Sequence, residues 1–265
     1  MKNPPISEII CGDNVETLKG FPTDCIDLVI TSPPYDNLRT YGGHEWDFEG
    51  VAQQLWRVIK PGGVVVWVVA DATVDGSETG TSFRQALRFM EIGFRLHDTM
   101  IYARNNVPTF DPRNKRYKHA WEYAFVFSSG EPKSVNLIKD KPTTKKGSQG
   151  VTVRNPDGSM RKAKDVEFGT HQVRFNIWNY GVGFNQTTKD GCAHGHPAAF
   201  PEALARDHIL SWSNEGDIVL DPFSGSGTTA KMAKLNGRKF IGVEINQEYC
   251  DIAANRLAQG VLEFK

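Results

Sequence analysis

Apolar and polar positions recur along the chain with two periods, and each period marks an element where it holds. Ile9-Ile10-Cys11, which stops at Gly12-Asp13, and Ile26-Asp27-Leu28-Val29-Ile30 are short apolar runs that predict strands. Val51, Leu55, Val58 and Ile59 share one face of a 3.6-residue period, so 51–59 predicts a helix that stops at Lys60-Pro61-Gly62-Gly63. Val64 to Ala70 is unbroken and mostly β-branched, the pattern of a strand buried on both faces. Phe83 to Glu91 predicts a helix closed by Gly93, and 99–104 and 122–127 predict two further strands. Later come a helix over 201–212, a strand over 218–220, a helix over 228–235, a strand over 239–243 and a last helix around 249–258. Strands alternating with helices predict an α/β fold, a mostly parallel sheet with helices on both faces.

The rhythm breaks at about Ser129 and returns after Phe175. Between Lys133 and Arg174 lie basic residues at 133, 139, 141, 145, 146, 154, 161, 162, 164 and 174 against acidic ones at 140, 157, 165 and 167, a local excess of +6. Asn155-Pro156-Asp157-Gly158 is a turn signal within it. The whole chain has 31 basic and 31 acidic residues, so a surface for nucleic acid must come from such local clustering. Two readings follow: a solvated, partly disordered insertion, or a nucleic-acid contact region with Lys145, Lys146, Arg161 and Lys162 as its contacts. The expected division is a catalytic domain over 1–128 and 176–265 and a recognition region over 129–175.

The strand at 218–220 runs into Asp221-Pro222-Phe223-Ser224-Gly225-Ser226-Gly227-Thr228-Thr229. Strand, glycine turn, helix, strand and acid is the order of a Rossmann-like first unit. Gly225 and Gly227 allow backbone geometry that a side chain would block, and the helix start presents N–H groups to an anionic ligand group. Glu244 ends the next strand 23 residues after Asp221, the spacing of an acid that bonds ribose hydroxyls. The loop is not GxGxxG and lacks a phosphate-loop lysine, which favours S-adenosylmethionine over NAD or ATP. Only 21 residues follow Glu244, too few to complete the sheet. The cofactor unit must therefore pack beside the amino-terminal strands as a circular permutation, with Asp13 at the next acidic strand end, near the adenine.

The strand at 26–30 runs into Thr31-Ser32-Pro33-Pro34-Tyr35. An aromatic exocyclic amine is a poor nucleophile because its lone pair is conjugated into the ring. Two acceptors that bind its two N–H groups draw the nitrogen towards a tetrahedral shape and aim the lone pair at an electrophilic methyl. The Ser32 hydroxyl and the Pro33 carbonyl are such acceptors, Pro33 and Pro34 stiffen the backbone, and Tyr35 offers a flat face for a flipped base. Four scattered cysteines without a CxxC pair suit reduced thiols in the cytoplasm, and the longest apolar run is too short to span a bilayer. Cys192-Ala193-His194-Gly195-His196 lacks a second ligand pair, so no metal is expected. Trp56, Trp67, Trp121, Trp178 and Trp212 are expected in the core, with Trp178 and Tyr180 also candidates to touch DNA.

These elements resemble the amino-group DNA methyltransferases of the permuted β class. The likeness covers about 9–128 and 176–258 and rests on Gly12-Asp13, Asp27 to Tyr35, Lys60-Pro61-Gly62-Gly63, His196 to Pro201, Asp221 to Thr229 and Gly242-Val243-Glu244. The resemblance implies a Rossmann-like S-adenosylmethionine-dependent methyltransferase fold. It implies Thr31, Asp221, Phe223, Ser224, Gly225, Ser226, Gly227 and Thr228 around the cofactor, Glu244 on its ribose, Asp13 near its adenine, and His196 and Phe200 completing the pocket. It places the recognition region at 129–175. It also implies double-stranded DNA as substrate, a cognate restriction endonuclease as possible company, and a monomer or homodimer. Ser32 stands where most adenine-N6 enzymes carry Asp or Asn, which looks like the cytosine-N4 enzymes; adenine-N6 stays the alternative. Methylation of a protein amide or RNA base, a dinucleotide-dependent oxidoreductase and a non-catalytic DNA-binding protein are the other readings.

Overall fold

The computed structural model describes residues 4–35, 46–106, 115–144, 147–150, 152–162, 165–183, 186–188, 190 and 201–259. In chain order the elements are β1 (Glu8–Cys11), α1 (Asn14–Lys19), β2 (Ile26–Thr31), α2 (Phe48–Val58), β3 (Ile59–Val69), the short pair β4 (Thr73–Val74) and β5 (Ser77–Glu78), α3 (Thr81–Ile92), β6 (Arg95–Arg104) and β7 (Trp121–Ser128). Six short strands follow: β8 (Lys141–Pro142), β9 (Gly147–Gln149), β10 (Thr152–Arg154), β11 (Met160–Lys162), β12 (Val166–Phe168) and β13 (His171–Gln172). The chain closes with β14 (Ile177–Tyr180), α4 (Glu202–Trp212), β15 (Ile218–Asp221), α5 (Thr228–Leu235), β16 (Lys239–Glu244) and α6 (Gln247–Ala258).

Eight strands form one sheet in the order β1-β16-β15-β2-β3-β7-β6-β14. The last two sheet strands in sequence, β15 and β16, sit between β1 and β2, which is the expected circular permutation. Every neighbouring pair from β1 to β3 is parallel, as is β6 with β14. β7 runs antiparallel to both β3 and β6. The strands at 99–104 and 122–127 therefore pair directly with each other, and no crossover helix lies between them among the described residues. Since β7 is reversed, its first residues meet the carboxyl ends of the parallel strands.

Side chains alternate across a strand, and both faces of the central strands are closed. Val29, Val65, Trp67 and Val69 join Leu18 of α1, Val51 and Leu55 of α2 and Phe89 of α3 in one core cluster. The alternate residues Leu28, Ile30, Val66 and Val68 are equally buried. Lys60-Pro61-Gly62-Gly63 departs from expectation. α2 ends at Val58, and these residues form a bulge inside β3, where the register jumps from Ile26↔Ile59 to Leu28↔Val64. Gly62 takes φ +81°, which only glycine adopts without strain. Of the tryptophans, Trp67, Trp178 and Trp212 are buried while Trp121 is exposed. Trp178 lies against His208, with ring centroids 4.7 Å apart, and the Tyr180 hydroxyl donates to Asp207.

The chain divides into two compact units, Met1–Asn136 with Asn176–Lys265, and Leu137–Phe175. Residues 129–136 belong with the sheet unit: Ser129 and Lys133 N–H groups donate to Gly63 and Gly62 carbonyls, and Asn136 N–H donates to Ser211. In the second unit, where little regular structure was expected, three antiparallel ladders nest: β8 with β13, β9 with β12 and β10 with β11. They make one interrupted ribbon whose turn is Asn155–Gly158, closed by Gly158 N–H on the Asn155 carbonyl. Polar side chains on both faces of the β10–β11 ladder hid it from a period-2 reading.

Candidate active site

The sheet order lines up four predicted site residues along one edge, with Glu122, which was not predicted, beside them. From β1 to β7 that edge carries Asp13, Glu244, Asp221, Ser32 and Glu122, each at or beside the end of its strand. The two sequence motifs, 190 residues apart in the chain, meet where Thr31 Oγ1 donates to Asp221 Oδ1 at 2.7 Å. Thr31 is fully buried, so its hydroxyl acts by fixing that carboxylate. Burial pushes the Asp221 carboxyl up to about 6, against the hydrogen bonds from Thr31, Thr229 and the Phe223 N–H that pull it down.

The glycine loop is held from three sides. Gly225 N–H donates to Glu244 Oε2 at 2.9 Å, and Asn246 N–H donates to Glu244 Oε1 at 2.9 Å. These bonds fix the carboxylate while each oxygen keeps a further lone pair for an incoming hydroxyl. Gly227 caps α5 at φ +78° with no side-chain cap bond. A Cβ there would lie 2.8 Å from Ala253 Cβ of α6, so the loop could not close against that helix. The Ser226 carbonyl, Ser226 Oγ and Thr228 Oγ1 are all within hydrogen-bond distance of Arg256 Nη1, so these two side chains face α6. Ser224 Oγ is buried without a hydrogen-bond partner among the described residues. Phe223 packs edge-on against Trp46 and Trp67, giving the loop an apolar wall. Asp13 caps α1 by accepting from Glu16 N–H.

A held carboxylate, an apolar wall and an uncapped helix start, with no lysine in the loop, fit a ligand with a ribose and a carboxylate and no phosphate. His196 and Phe200 lie outside the described residues, as do Lys145 and Lys146. Arg161 and Lys162 are exposed on β11 and face opposite sides of the ribbon, paired with Val153 and Thr152.

Ser32 to Tyr35 follow β2 directly and lie outside any helix or strand. Ser32 Oγ is 2.7 Å from the Tyr35 hydroxyl, which donates to Glu122 Oε2 at 2.9 Å. Glu122 Oε1 faces Arg104 Nη1 at 3.5 Å. Sequence reasoning missed Glu122 and Arg104, because their place at this edge depends on the reversal of β7. It also missed the ion cluster beneath the glycine loop. Arg256, fully buried, donates to Asp190 and Glu202, and Lys231 donates to the same two carboxylates. Arg256 is the one basic residue of α6, and a single arginine in a helix gives no sequence signal of such a cluster.

Residues 26–255 match the N6/N4 DNA methylase family. The chain belongs to that family. This DNA methylase is 56% identical over 247 residues to the orphan methyltransferase M.BamHII of Bacillus amyloliquefaciens, covering 91% of this chain and 92% of the relative. Among solved structures it is similar to PvuII DNA methyltransferase (cytosine-N4-specific), with TM-score 0.68 and 23% identity over 96% of this chain and 87% of that one. It is also similar to TTHA0409 of Thermus thermophilus complexed with S-adenosyl-L-methionine, with TM-score 0.64 and 26% identity over 97% and 95% of the two chains. The shared fold agrees with the α/β, mostly parallel sheet described above. No helix among the described residues is long and apolar enough to cross a membrane.

Proposed function

We propose that this DNA methylase transfers a methyl group from S-adenosylmethionine to the exocyclic N4 of cytosine in duplex DNA. The observation that carries the reading is Ser32 at the end of β2, beside the Asp221–Glu244 strand ends, with its hydroxyl 2.7 Å from that of Tyr35. A serine at that position, where an acid or amide opens the motif in adenine-N6 enzymes, supports cytosine. S-adenosylmethionine supplies a sulfonium methyl when bound. Glu244 holds its ribose, Asp13 sits near its adenine, and the 221–228 loop with Phe223, together with His196 and Phe200, surrounds the rest. The target base leaves the stack, because its amine cannot reach a methyl donor inside the helix. Ser32 Oγ and the Pro33 carbonyl accept its two N–H groups, and Tyr35 stacks on its face. Catalysis is then positioning and electrostatics.

Incubation with unmethylated duplex DNA and methyl-labelled S-adenosylmethionine, followed by nucleoside mass spectrometry, tests the reading. N4-methylcytosine is the expected product. Label on adenine N6 would change the base and leave the site intact. Label at cytosine C5 would refute the mechanism, since carbon methylation needs a cysteine nucleophile and the 31–35 segment has none.

Glu244→Ala is expected to weaken S-adenosylmethionine binding by about 1–3 kcal/mol, the scale for losing hydrogen bonds to a charged group. Isothermal titration calorimetry checks this, and undiminished affinity would remove Glu244 from the pocket. The 137–175 ribbon is the proposed DNA reader. Replacing Arg154, Arg161 and Lys162 with alanine should reduce the slope of log affinity against log salt by about 0.9 for each phosphate no longer neutralised. Cofactor affinity should stay at the wild-type value. An unchanged salt slope would mean that these side chains only face solvent.

A further inference from the structure

Tyr35 has one hydroxyl proton, and both Ser32 Oγ and Glu122 Oε2 lie within hydrogen-bond distance of its oxygen. A carboxylate only accepts, so the Tyr35 proton goes to Glu122. Between Ser32 and Tyr35 the remaining proton must then come from Ser32. The Ser32 oxygen is thereby left with its lone pairs directed away from Tyr35, an acceptor and not a donor towards whatever stands before it. Glu122 pairs on its other side with Arg104. Its placement is unusual for a stability role. β7 is otherwise aromatic or apolar from Trp121 to Phe127, and a largely covered acid in such a strand is costly unless something requires it. Its neighbour across the ladder is Tyr102, whose phenol is pushed up by burial and further by the Glu122 charge.

We propose that Ser32, Tyr35 and Glu122 form a proton relay from the methylated amine to the Glu122 carboxylate. The proposal rests on the reading of Ser32 as the amine's acceptor. In the transfer, the amine lone pair forms the N–CH₃ bond while the S–CH₃ bond breaks, and its electron pair stays on sulfur. The nitrogen becomes cationic and must lose one proton. That proton passes to Ser32 Oγ as the Ser32 proton moves to Tyr35 and the Tyr35 proton moves to Glu122. The products are a neutral methylated amine, two regenerated hydroxyls and a carboxylic acid at Glu122, which releases its proton to solvent before the next turnover. Glu122 bonds Tyr35 and pairs with Arg104, and acts on the amine through Tyr35 and Ser32. It is a positioning residue that sets the direction of both hydroxyls before transfer and the terminal proton acceptor after it.

Glu122→Gln keeps an oxygen for Tyr35 but cannot take up the proton, and Tyr35→Phe keeps the stacking ring but cuts the relay. The test is single-turnover methylation of duplex DNA from a bacterial strain without DNA methylation, with methyl-labelled S-adenosylmethionine. Calorimetric cofactor affinity, DNA affinity and melting temperature are measured on the same proteins. Each single variant should slow the chemical step by about 10²-fold, within the range of positioned proton transfer. The double variant should be no slower than the slower single one. Cofactor affinity and melting temperature should stay at the wild-type values, and formate should restore part of the rate to Glu122→Ala. A Glu122→Gln enzyme within twofold of wild type would overturn the relay. So would a slow Glu122→Gln enzyme beside a fully active Tyr35→Phe one, or rate losses that multiply in the double variant. These failures leave N-methylated nucleoside as the wild-type product. Label away from exocyclic amines in wild type would instead overturn the amine reading and the relay together.

Discussion

Ser32→Ala is expected to lower the single-turnover methylation rate by about 10²–10³-fold, the scale for removing one positioned transition-state partner. The loss falls on the chemical step because the bond from the amine to Ser32 strengthens only as the nitrogen turns tetrahedral and its N–H groups become acidic. Folding should survive. The described bond of Ser32 Oγ is to Tyr35, and Tyr35 keeps its bond to Glu122 when the serine hydroxyl is removed. Cofactor binding should survive as well, since the Thr31–Asp221 and Gly225–Glu244 bonds do not pass through Ser32. Rapid-quench measurement of labelled DNA, beside calorimetry with S-adenosylmethionine, checks both halves. Tyr35→Ala should fail differently, in base binding, through loss of a stacking face worth about 1–3 kcal/mol. A Ser32→Ala enzyme with wild-type single-turnover rate would remove the acceptor role on which the functional reading stands.

What the sequence disclosed depended on whether a residue's role was local. Ser32 to Tyr35 and Asp221 to Thr229 each follow an apolar strand by a few residues, so their places at strand ends were legible from pattern alone. The permutation shows in the sheet order, where β15 and β16 sit between β1 and β2. The reversal of β7 was not legible, since strand direction leaves no mark on a period-2 pattern, and Glu122 was lost with it. Lys60–Gly63 marked the stop of α2, but proline and glycine do not tell a helix stop from a bulge inside the strand that follows. The β10–β11 ladder escaped because Arg154, Arg161 and Lys162 are solvent-exposed, and a ladder without a buried face has no apolar alternation to read. The ion cluster under the glycine loop joins residues 190, 202, 231 and 256, and such spacing has no periodic signature.

That cluster yields the largest expected loss of stability. Arg256 is fully buried, with Nε on Asp190 at 2.9 Å, Nη2 on Glu202 at 2.8 Å and Nη1 on the Ser226 carbonyl at 2.6 Å. Arg256→Ala leaves two carboxylates to share the single ammonium of Lys231 and strips the glycine loop of its anchor. Removing one partner of a buried pair costs up to about 3–5 kcal/mol, because the two largely covered carboxylates left behind have one cation between them. Arg256→Lys keeps the charge but cannot donate in three directions from a planar fork, and should recover only part of the loss. Urea unfolding checks this as a fall in the midpoint with unchanged m. The pH dependence gives a second reading. Burial alone would raise the Asp190 carboxyl, but Lys231 and Arg256 outweigh it and hold it below its ordinary value. A depressed carboxyl stabilises the fold above its unfolded value, and that contribution is lost as pH falls towards the folded value. Without Arg256 the depression should shrink, so the stability difference between wild type and Arg256→Ala should narrow on acidification from neutral pH. A difference that stayed constant down to the acid transition would mean that the loss comes from packing and the Ser226 bond, not from the buried charges.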